Sequence, residues 1–327
     1  MGSTNFTVLD IGHGNCSLIE ADDSMTVIDA AQGSYVQDIL ANKCIKKIDD
    51  LIISHSDKDH VGGAIAILLD DEIAISRVHL NPDGIKTTAT WDDFRTAVAH
   101  SMAQHGTKII TAINSDTDDI EYTDYKLEIL APSSIDCMTG PGSTGIDGKT
   151  LDANSMSVVL RLVHQESNIA LIPGDMDADT LKYLNDSQQC LKAKVLVFPH
   201  HGGRPGSGDP ENFAEEICKS VDPDLVLFSN SRKKHNNPIP PIITGIRGSN
   251  CGAHLACTQI SETCCPNEEA LSNDHLSNLF PSKGQSKKHS CAGSITIELN
   301  GPDTDVNTPL GPHTNYIEQF SSRKCII

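Results

Sequence analysis

The sequence predicts an α/β fold organised as one large domain, and three observations predict it. Apolar runs of strand length alternate with helix-length stretches along most of the chain. Four of those runs end abruptly in loops rich in His, Asp, Asn or basic residues. The composition is that of an ordinary globular protein, with 38% hydrophobic and 21% charged residues over 327 positions. A chain of this length can bury a substantial core, and the absence of any repeat of fixed period excludes a solenoid or propeller.

Taken in order, the chain opens on three short strands, Phe6 to Asp10, Cys16 to Glu20 and Met25 to Asp29, separated by Gly- and Asp-containing turns. A helix is expected from about Ser34 to Asn42. The apolar run Leu51-Ile52-Ile53 follows, then the polar cluster at 55–60, then an apolar helix from Val61 to Leu69. A strand near Arg77 to Leu80, a helix over Asp92 to Gln104 and strands at Lys108 to Ile110 and Lys126 to Leu130 continue the alternation. Between Pro132 and Asp152 the Gly/Ser/Pro-rich composition reads as a loop and a candidate lid.

Strands at Ser157 to Val163 and Ile169 to Ile172 then lead to Pro173-Gly174-Asp175. Val195 to Phe198 runs into Pro199-His200-His201-Gly202-Gly203, and Leu225 to Phe228 into a loop ending at Lys233-Lys234-His235. Strand ends hold side chains rigidly along one edge of a sheet, which is where α/β enzymes assemble their sites. Ser294 to Leu299 reads as a last strand, so that residues 1–300 form the domain, with a Cys-rich elaboration at 246–292 and a tail at 301–327.

The polar loops carry the chemistry. His55-Ser56-Asp57-Lys58-Asp59-His60 places two imidazoles and two carboxylates within six residues directly after a strand. All four are metal-ligand types, and two divalent ions about 3.5 to 4 Å apart need more such groups, one of them a bridging carboxylate. Asp175, His200, His201 and His235 supply them at the other strand ends.

His-x-Asp-x-Asp-His followed by Val61-Gly62-Gly63, with the later Pro-Gly-Asp and Pro-His-His-Gly elements, resembles the signature of the metallo-β-lactamase superfamily. Within it, the aspartate at Asp57 resembles the soluble hydrolase domain of ComEC-type competence proteins, as do Val8 to Asn15, Val27-Ile28-Asp29 and Asn154 to Leu160. The resemblance spans roughly residues 6–300. It implies a four-layered αββα sandwich with the metals at the rim between the two sheets. It also implies a ligand set of His55, Asp57 and one histidine of the 200/201 pair for one metal, with His201 preferred, and of Asp59, His60 and His235 for the other, bridged by Asp175. His235 departs from the pattern, which has the histidine directly before a proline, by standing three positions ahead of Pro238.

The function implied is a metal-dependent hydrolase using a metal-activated water, with a phosphodiesterase or nuclease as the leading activity. Asp59 or Asp57 would orient the nucleophile, and His200 would face the substrate. The carboxylate-rich set points towards Mn²⁺ or Mg²⁺, whereas the general affinity order favours Zn²⁺. Arg204 or the Arg232-Lys233-Lys234 run would clamp a phosphate. The competing readings are hydrolysis of a thioester, lactone or β-lactam, and a catalytically weak scaffold subunit of a complex.

A formal charge of −19 disfavours unaided tight binding to polynucleotides, so a nucleic-acid or oligonucleotide substrate would suit a chain working with a protein partner. No run approaches the roughly 18 apolar residues of a membrane span, and no secretory signal opens the chain. Cysteines scattered singly among apolar segments read as free thiols, so a cytoplasmic protein is expected. Cys325 stands third from the end, which does not fit the prenylation signal. Cys257, Cys264, His289 and Cys291 form a candidate structural zinc set.

Overall fold

The computed structural model describes residues 3–145, 148–265 and 272–319. Among them are the strands β1 (Thr4–Val8), β2 (Ser17–Ala21), β3 (Ser24–Ile28), β4 (Lys47–Ile52), β5 (Ala74–His79), β6 (Lys108–Ile110), β7 (Ile120–Glu121), β8 (Tyr125–Ala131), β9 (Val159–His164), β10 (Ser167–Ile172), β11 (Val195–Val197), β12 (Leu225–Phe228), β13 (His254–Cys257) and β14 (Ile295–Leu299). They form two seven-stranded sheets, ordered β14-β1-β2-β3-β4-β5-β6 and β13-β12-β11-β10-β9-β8-β7. Each sheet is antiparallel in one half and parallel in the other, with the change at β3 in the first and at β10 in the second.

Helices α1 (Tyr35–Asn42), α2 (Lys58–Val61), α3 (Ala64–Leu68) and α4 (Ala89–His105) belong to the first half, followed by the short α5 (Ser134–Thr139). Helices α6 (Ala178–Asp186), α7 (Pro210–Val221), α8 (Pro240–Gly248) and α9 (Gly311–Ile317) belong to the second. Three apolar layers show how these elements stack. Phe6, Ile19 and Ile297 of the first sheet pack on Leu160, Ile172 and Val197 of the second. The opposite face of the first sheet packs on Val36, Ile39, Ile67 and Phe94 of its helices, and that of the second on Leu181, Phe213, Ile217 and Ile246. The fold is therefore helix, sheet, sheet, helix, the predicted αββα sandwich.

Strands such as β3, β11 and β12 are legible because they are short runs whose every residue is buried, on both faces of the sheet. Two elements differ from expectation. The helix expected over 61–69 is two short helices parted at Gly62 and Gly63, where the chain accepts the 30–32 loop. Gly63 N donates to Ala30 O at 2.8 Å, and a Cβ on Gly63 would lie 2.1 Å from Ala31 O. The Cys-rich stretch supplies β13, which pairs in parallel with β12 and forms the sheet edge.

The candidate lid has its own structure, with α5 at one end and a bridge between Thr144 and Thr150. In the stretch expected as a tail, His313, Tyr316 and Ile317 of α9 are buried, and Tyr316 and Ile317 pack into the helix layer of the second sheet. Cys325 lies outside the described residues. No helix among the described residues is long and apolar enough to cross a membrane.

Candidate metal centre

The parallel halves of both sheets deliver their strand ends to one rim. After β4 the chain turns through Ser54, whose N and Oγ each donate to Asp29 at 2.8 Å, to Oδ1 and Oδ2 respectively. Asp29 follows β3 with φ 58°, a left-handed conformation that Asp tolerates better than most residues. This clamp fixes the start of the 55–60 loop. The chain then enters α2, and His60 N and Val61 N donate to Asp57 O at 2.9 and 3.0 Å.

That turn brings the His60 ring to 4.1 Å from the His55 ring, centroid to centroid. Asp59 faces the other way, towards the loop after β1. Its backbone O accepts from Asn15 N at 3.2 Å, and a Cβ on Gly14 would lie only 2.3 Å from that same oxygen. Gly14, at φ 117°, is thus the residue that lets the 12–15 loop close onto α2.

Two clusters result. The ligand atoms of His55, His60 and Asp175 all lie within 4.8 Å of one another, and so do those of His13, Asp59 and His201. Asp175, reached after β10, faces both: Oδ1 lies 3.3 Å from His60 Nε2, and Oδ2 lies 3.8 Å from His201 Nε2. Asp59 Oδ2 lies 2.8 Å from His13 Nε2 and 3.7 Å from His201 Nε2. His200 and His201 reach the rim through a tight turn with φ of 52° and 55°, a strained backbone for two consecutive non-glycine residues. His200 N donates to Asp175 Oδ1 at 3.1 Å, and its ring Nδ1 lies 3.6 Å from Oδ2.

These residues fit metal ions on an observation independent of any relative. The buried Nε2 atoms of His55, His60, His200 and His201 have no hydrogen-bond partner, which a buried polar atom seldom tolerates. Two of the rings are held from behind. His60 Nδ1 lies 2.7 Å from Asp29 Oδ2, and His55 Nδ1 lies 3.0 Å from Ser54 Oγ and 3.3 Å from Ser157 Oγ. A supporting carboxylate or hydroxyl behind each ring is how metal-ligating histidines are oriented.

The electrostatics agree. Burial pushes Asp59 up, but His13 and His201 outweigh it and hold its pKa below the ordinary range. Burial likewise opposes the ionised form of Asp175, and His60 and His201 reverse the balance. Burial lowers His60, while Asp175 and Asp29 raise it well above the usual imidazole value. These are the opposed charges that a cation would replace.

The structure groups the predicted ligands differently from the expected pairing. His60 stands with His55 and Asp175, and His201 stands with Asp59. Asp57 belongs to neither cluster: Oδ2 lies 3.7 Å from His55 Nε2, and Oδ1 accepts from Lys86 Nζ. Its pKa is lowered to about 2, chiefly by the neighbouring His55 imidazole. His235 is exposed and joins neither cluster, although its ring lies 4.9 Å from that of His13. His13 takes the place expected of it. The Gly12-His13-Gly14 turn held the one hint of this, two glycines freeing the backbone around a histidine.

Two further expectations are corrected. Arg232 is no phosphate clamp: it is 1% exposed, and its guanidinium donates to Ile260 O at 3.2 Å and Cys265 O at 2.6 Å. Among the described residues, no three of Cys257, Cys264, His289 and Cys291 bring ligand atoms within 4.8 Å of one another. The three cysteines are instead part of the apolar layer beneath α7 and α8, where a thiol packs as a small hydrophobe.

Residues 9–135 match the metallo-beta-lactamase superfamily. The two-sheet sandwich with its rim of His and Asp is the metallo-β-lactamase fold. The match covers the elements that carry His13 and the 55–60 loop, while Asp175 and His201 follow strands β10 and β11, which lie beyond it.

A stretch of 152 residues is 26% identical to a probable glycine dehydrogenase (decarboxylating) subunit 2 from Staphylococcus epidermidis, over 43% of this chain and 28% of that protein. The chain thus spans less than a third of that relative's length. Solved structures of similar shape include a metallo hydrolase from Ignicoccus hospitalis, at 14% identity over 77% of this chain and 94% of that one, with a TM-score of 0.44. Another is the metallo-beta-lactamase fold protein YhfI from Bacillus subtilis, at 12% identity over 77% and 96%, with a TM-score of 0.46.

Proposed function

We propose that this chain is a two-metal hydrolase acting on phosphodiesters. The observation that carries the reading is Asp175, whose two carboxylate oxygens face separate His/Asp clusters lined with unpartnered buried imidazole nitrogens. One cluster would hold a cation through His55, His60 and Asp175, the other through His13, Asp59 and His201. Asp175 would be shared. Two divalent cations there would supply Lewis acidity, which makes water a nucleophile near neutral pH and offsets the negative charge developing at phosphorus.

The chain's own groups do the rest. Asp29 and Ser157 hold the rings of His60 and His55 in place. Burial lowers the pKa of His200, keeping its ring neutral, with Nε2 free to contact a phosphoryl oxygen or a leaving group. Asp57, ionised beside His55 and Lys86, is placed to orient the attacking water. The mixed carboxylate and imidazole set suits Mn²⁺ or Zn²⁺. The HxDxDH loop with Asp57 supports the ComEC-type affinity, and a short oligonucleotide, or a polynucleotide presented by a basic protein partner, suits the charge of −19. The free thiols of Cys16, Cys44, Cys137, Cys190, Cys218 and Cys251 favour the cytoplasm.

The test is cleavage of bis-p-nitrophenyl phosphate and of single- and double-stranded DNA and RNA with Mn²⁺, Mg²⁺, Zn²⁺ or EDTA, against Asp175→Asn as control. Metal-dependent cleavage that disappears in the variant is expected. A metal-loaded protein that cleaves acyl substrates but no phosphodiester overturns the reading.

A further inference from the structure

We propose that Lys86 is the substrate's anion-binding residue: its ammonium, held against Asp57 at the edge of the metal centre, takes a non-bridging oxygen of the phosphoryl group. The inference rests on the phosphodiester reading for its substrate class, and on the following geometry for its residue.

Lys86 lies in the loop between β5 and α4, far in sequence from every proposed ligand, yet its Nζ contacts the Asp57 carboxylate. A flexible surface lysine would gain little from such a contact. Here the loop is built to place it. Asp83, 6% exposed, accepts from Ile85 N at 3.3 Å and Lys86 N at 3.0 Å through Oδ1. Its Oδ2 accepts from Ser56 Oγ at 2.6 Å, and its backbone O accepts from Trp91 Nε1 at 3.1 Å. Ser56 stands between His55 and Asp57, so one buried carboxylate ties the lysine's backbone to the ligand loop itself. Side-chain atoms of Ile85 close the other side against Gly142, where a Cβ would lie 3.0 Å from Ile85 Cδ1.

The division of Asp57 matters next. Its Oδ2 faces His55 and its Oδ1 faces Lys86, so the lysine reaches the carboxylate from the side away from His55. Lys86 is 21% exposed at its side chain, enough to meet a ligand without a conformational change of the loop. Of the other candidate cations, Arg232 is committed to backbone carbonyls, Arg204 is exposed beyond His201, and Lys233 and Lys234 are exposed, with Lys234 on the His13 side of the site rather than beside Asp57. A positive charge fixed beside two metal-binding clusters meets an anionic substrate already in its ground state, whereas a neutral ester or lactam would meet it only as oxyanion charge develops. The residue therefore bears on substrate class as well as on affinity.

The experiment is calorimetric titration of inorganic phosphate into Mn²⁺-loaded wild-type protein, Lys86→Ala, Lys86→Gln and Lys86→Arg, with bound metal counted in each by mass spectrometry. The expected result is an undiminished metal count in all four. Phosphate should bind about tenfold or more weakly to the Ala and Gln variants, as loss of a charged hydrogen bond implies, and Arg should restore most of the loss. Two neutral variants guard against a misfolded one. Phosphate binding that is absent from the wild type or unchanged by the neutral substitutions overturns the proposal. So does a loss of metal with the lysine, which would make Lys86 a support for Asp57 alone. Hydrolysis of bis-p-nitrophenyl phosphate by the wild type is scored separately: Lys86-dependent phosphate binding without it defeats the phosphodiesterase reading and leaves the anion site standing.

Discussion

Asp29 Oδ2 lies 2.7 Å from Nδ1 of His60, and neither side chain is exposed to solvent. A carboxylate partner there holds a ring proton on Nδ1 and leaves Nε2, 3.3 Å from Asp175, as the nitrogen that a cation would take. Asp29 thus sets the ligand form of a ring it holds from behind. Asp29→Asn should fold, because Asn tolerates the left-handed backbone at φ 58°. It should bind metal about 10- to 100-fold more weakly, the usual cost of losing such a supporting partner. A competition titration with a chromogenic chelator measures this, and wild-type affinity in the variant would remove Asp29 from the site.

His13 and His235 make opposite claims on one position. His13 lies 2.8 Å from Asp59 and shares a cluster with His201, whereas His235 is exposed and shares none. His13→Ala should therefore lose one equivalent of bound metal, and His235→Ala should keep both. Elemental analysis after dialysis against metal-free buffer distinguishes them. The reverse pattern would return His235 to the ligand set.

What could be read from the sequence follows from the range of the forces involved. The strands were legible because burial on both faces writes continuous apolar runs, and the 55–60 loop because four ligand types in six residues leave little else to explain them. Layering came from the resemblance, since periodicity carries no information on which sheet faces which. The pairing of ligands was illegible: whether His60 sides with His55 or with Asp59 depends on the turn of α2 and on Gly14 meeting the Asp59 carbonyl. Strand β13 was hidden by Cys257 at its end, which suggested metal where the fold packs it in an apolar layer. Lys86 left no mark at all, because its role comes from Asp83 bonding a serine 27 residues away.

Removal of metal should destabilise the protein, because the cations would balance carboxylates that the fold brings together. Thermal unfolding in EDTA should occur below that in Mn²⁺, with a gap that grows with metal concentration as linkage requires. Asp175→Asn should shrink the gap. An unfolding temperature indifferent to chelator would mean that the clusters bind no ion.

A second, remote charge cluster sets the acid limit of the fold. Asp50, fully buried on β4, accepts from Arg77 Nε at 2.6 Å and Nη2 at 2.7 Å, contacts His79 Nε2 at 2.6 Å, and accepts from the Tyr122 hydroxyl. Burial raises its pKa, and His79, Arg77 and Tyr122 together bring it down to about 2 from 3.8. A depressed carboxylate adds stability that is present above the unfolded value and lost as pH falls through the folded one. The contribution, about 2 kcal/mol, should therefore be intact above pH 3.8 and disappear towards pH 2. Urea unfolding of Asp50→Asn should show a loss of at least about that size at neutral pH and a flatter acid limb than the wild type.

Arg232 tests whether a basic residue beside the metal centre serves structure or substrate. Its guanidinium bonds the carbonyls of Ile260 and Cys265, and its backbone N donates to Gln259 Oε1 at 3.2 Å. Gln259 Nε2 in turn donates to the buried Asp10 at 2.8 Å, so the arginine anchors the segment after β13 to the strand end that precedes the His13 turn. Arg232→Ala leaves two carbonyls without a charged donor and should cost about 3 kcal/mol. Lys should rescue little of it, because a single ammonium cannot span both acceptors in the fork geometry. Phosphate affinity of the folded fraction should be unchanged, in contrast to the Lys86 variants. Chemical denaturation paired with phosphate titration reads both quantities, and weakened phosphate binding at full stability would make Arg232 a clamp after all.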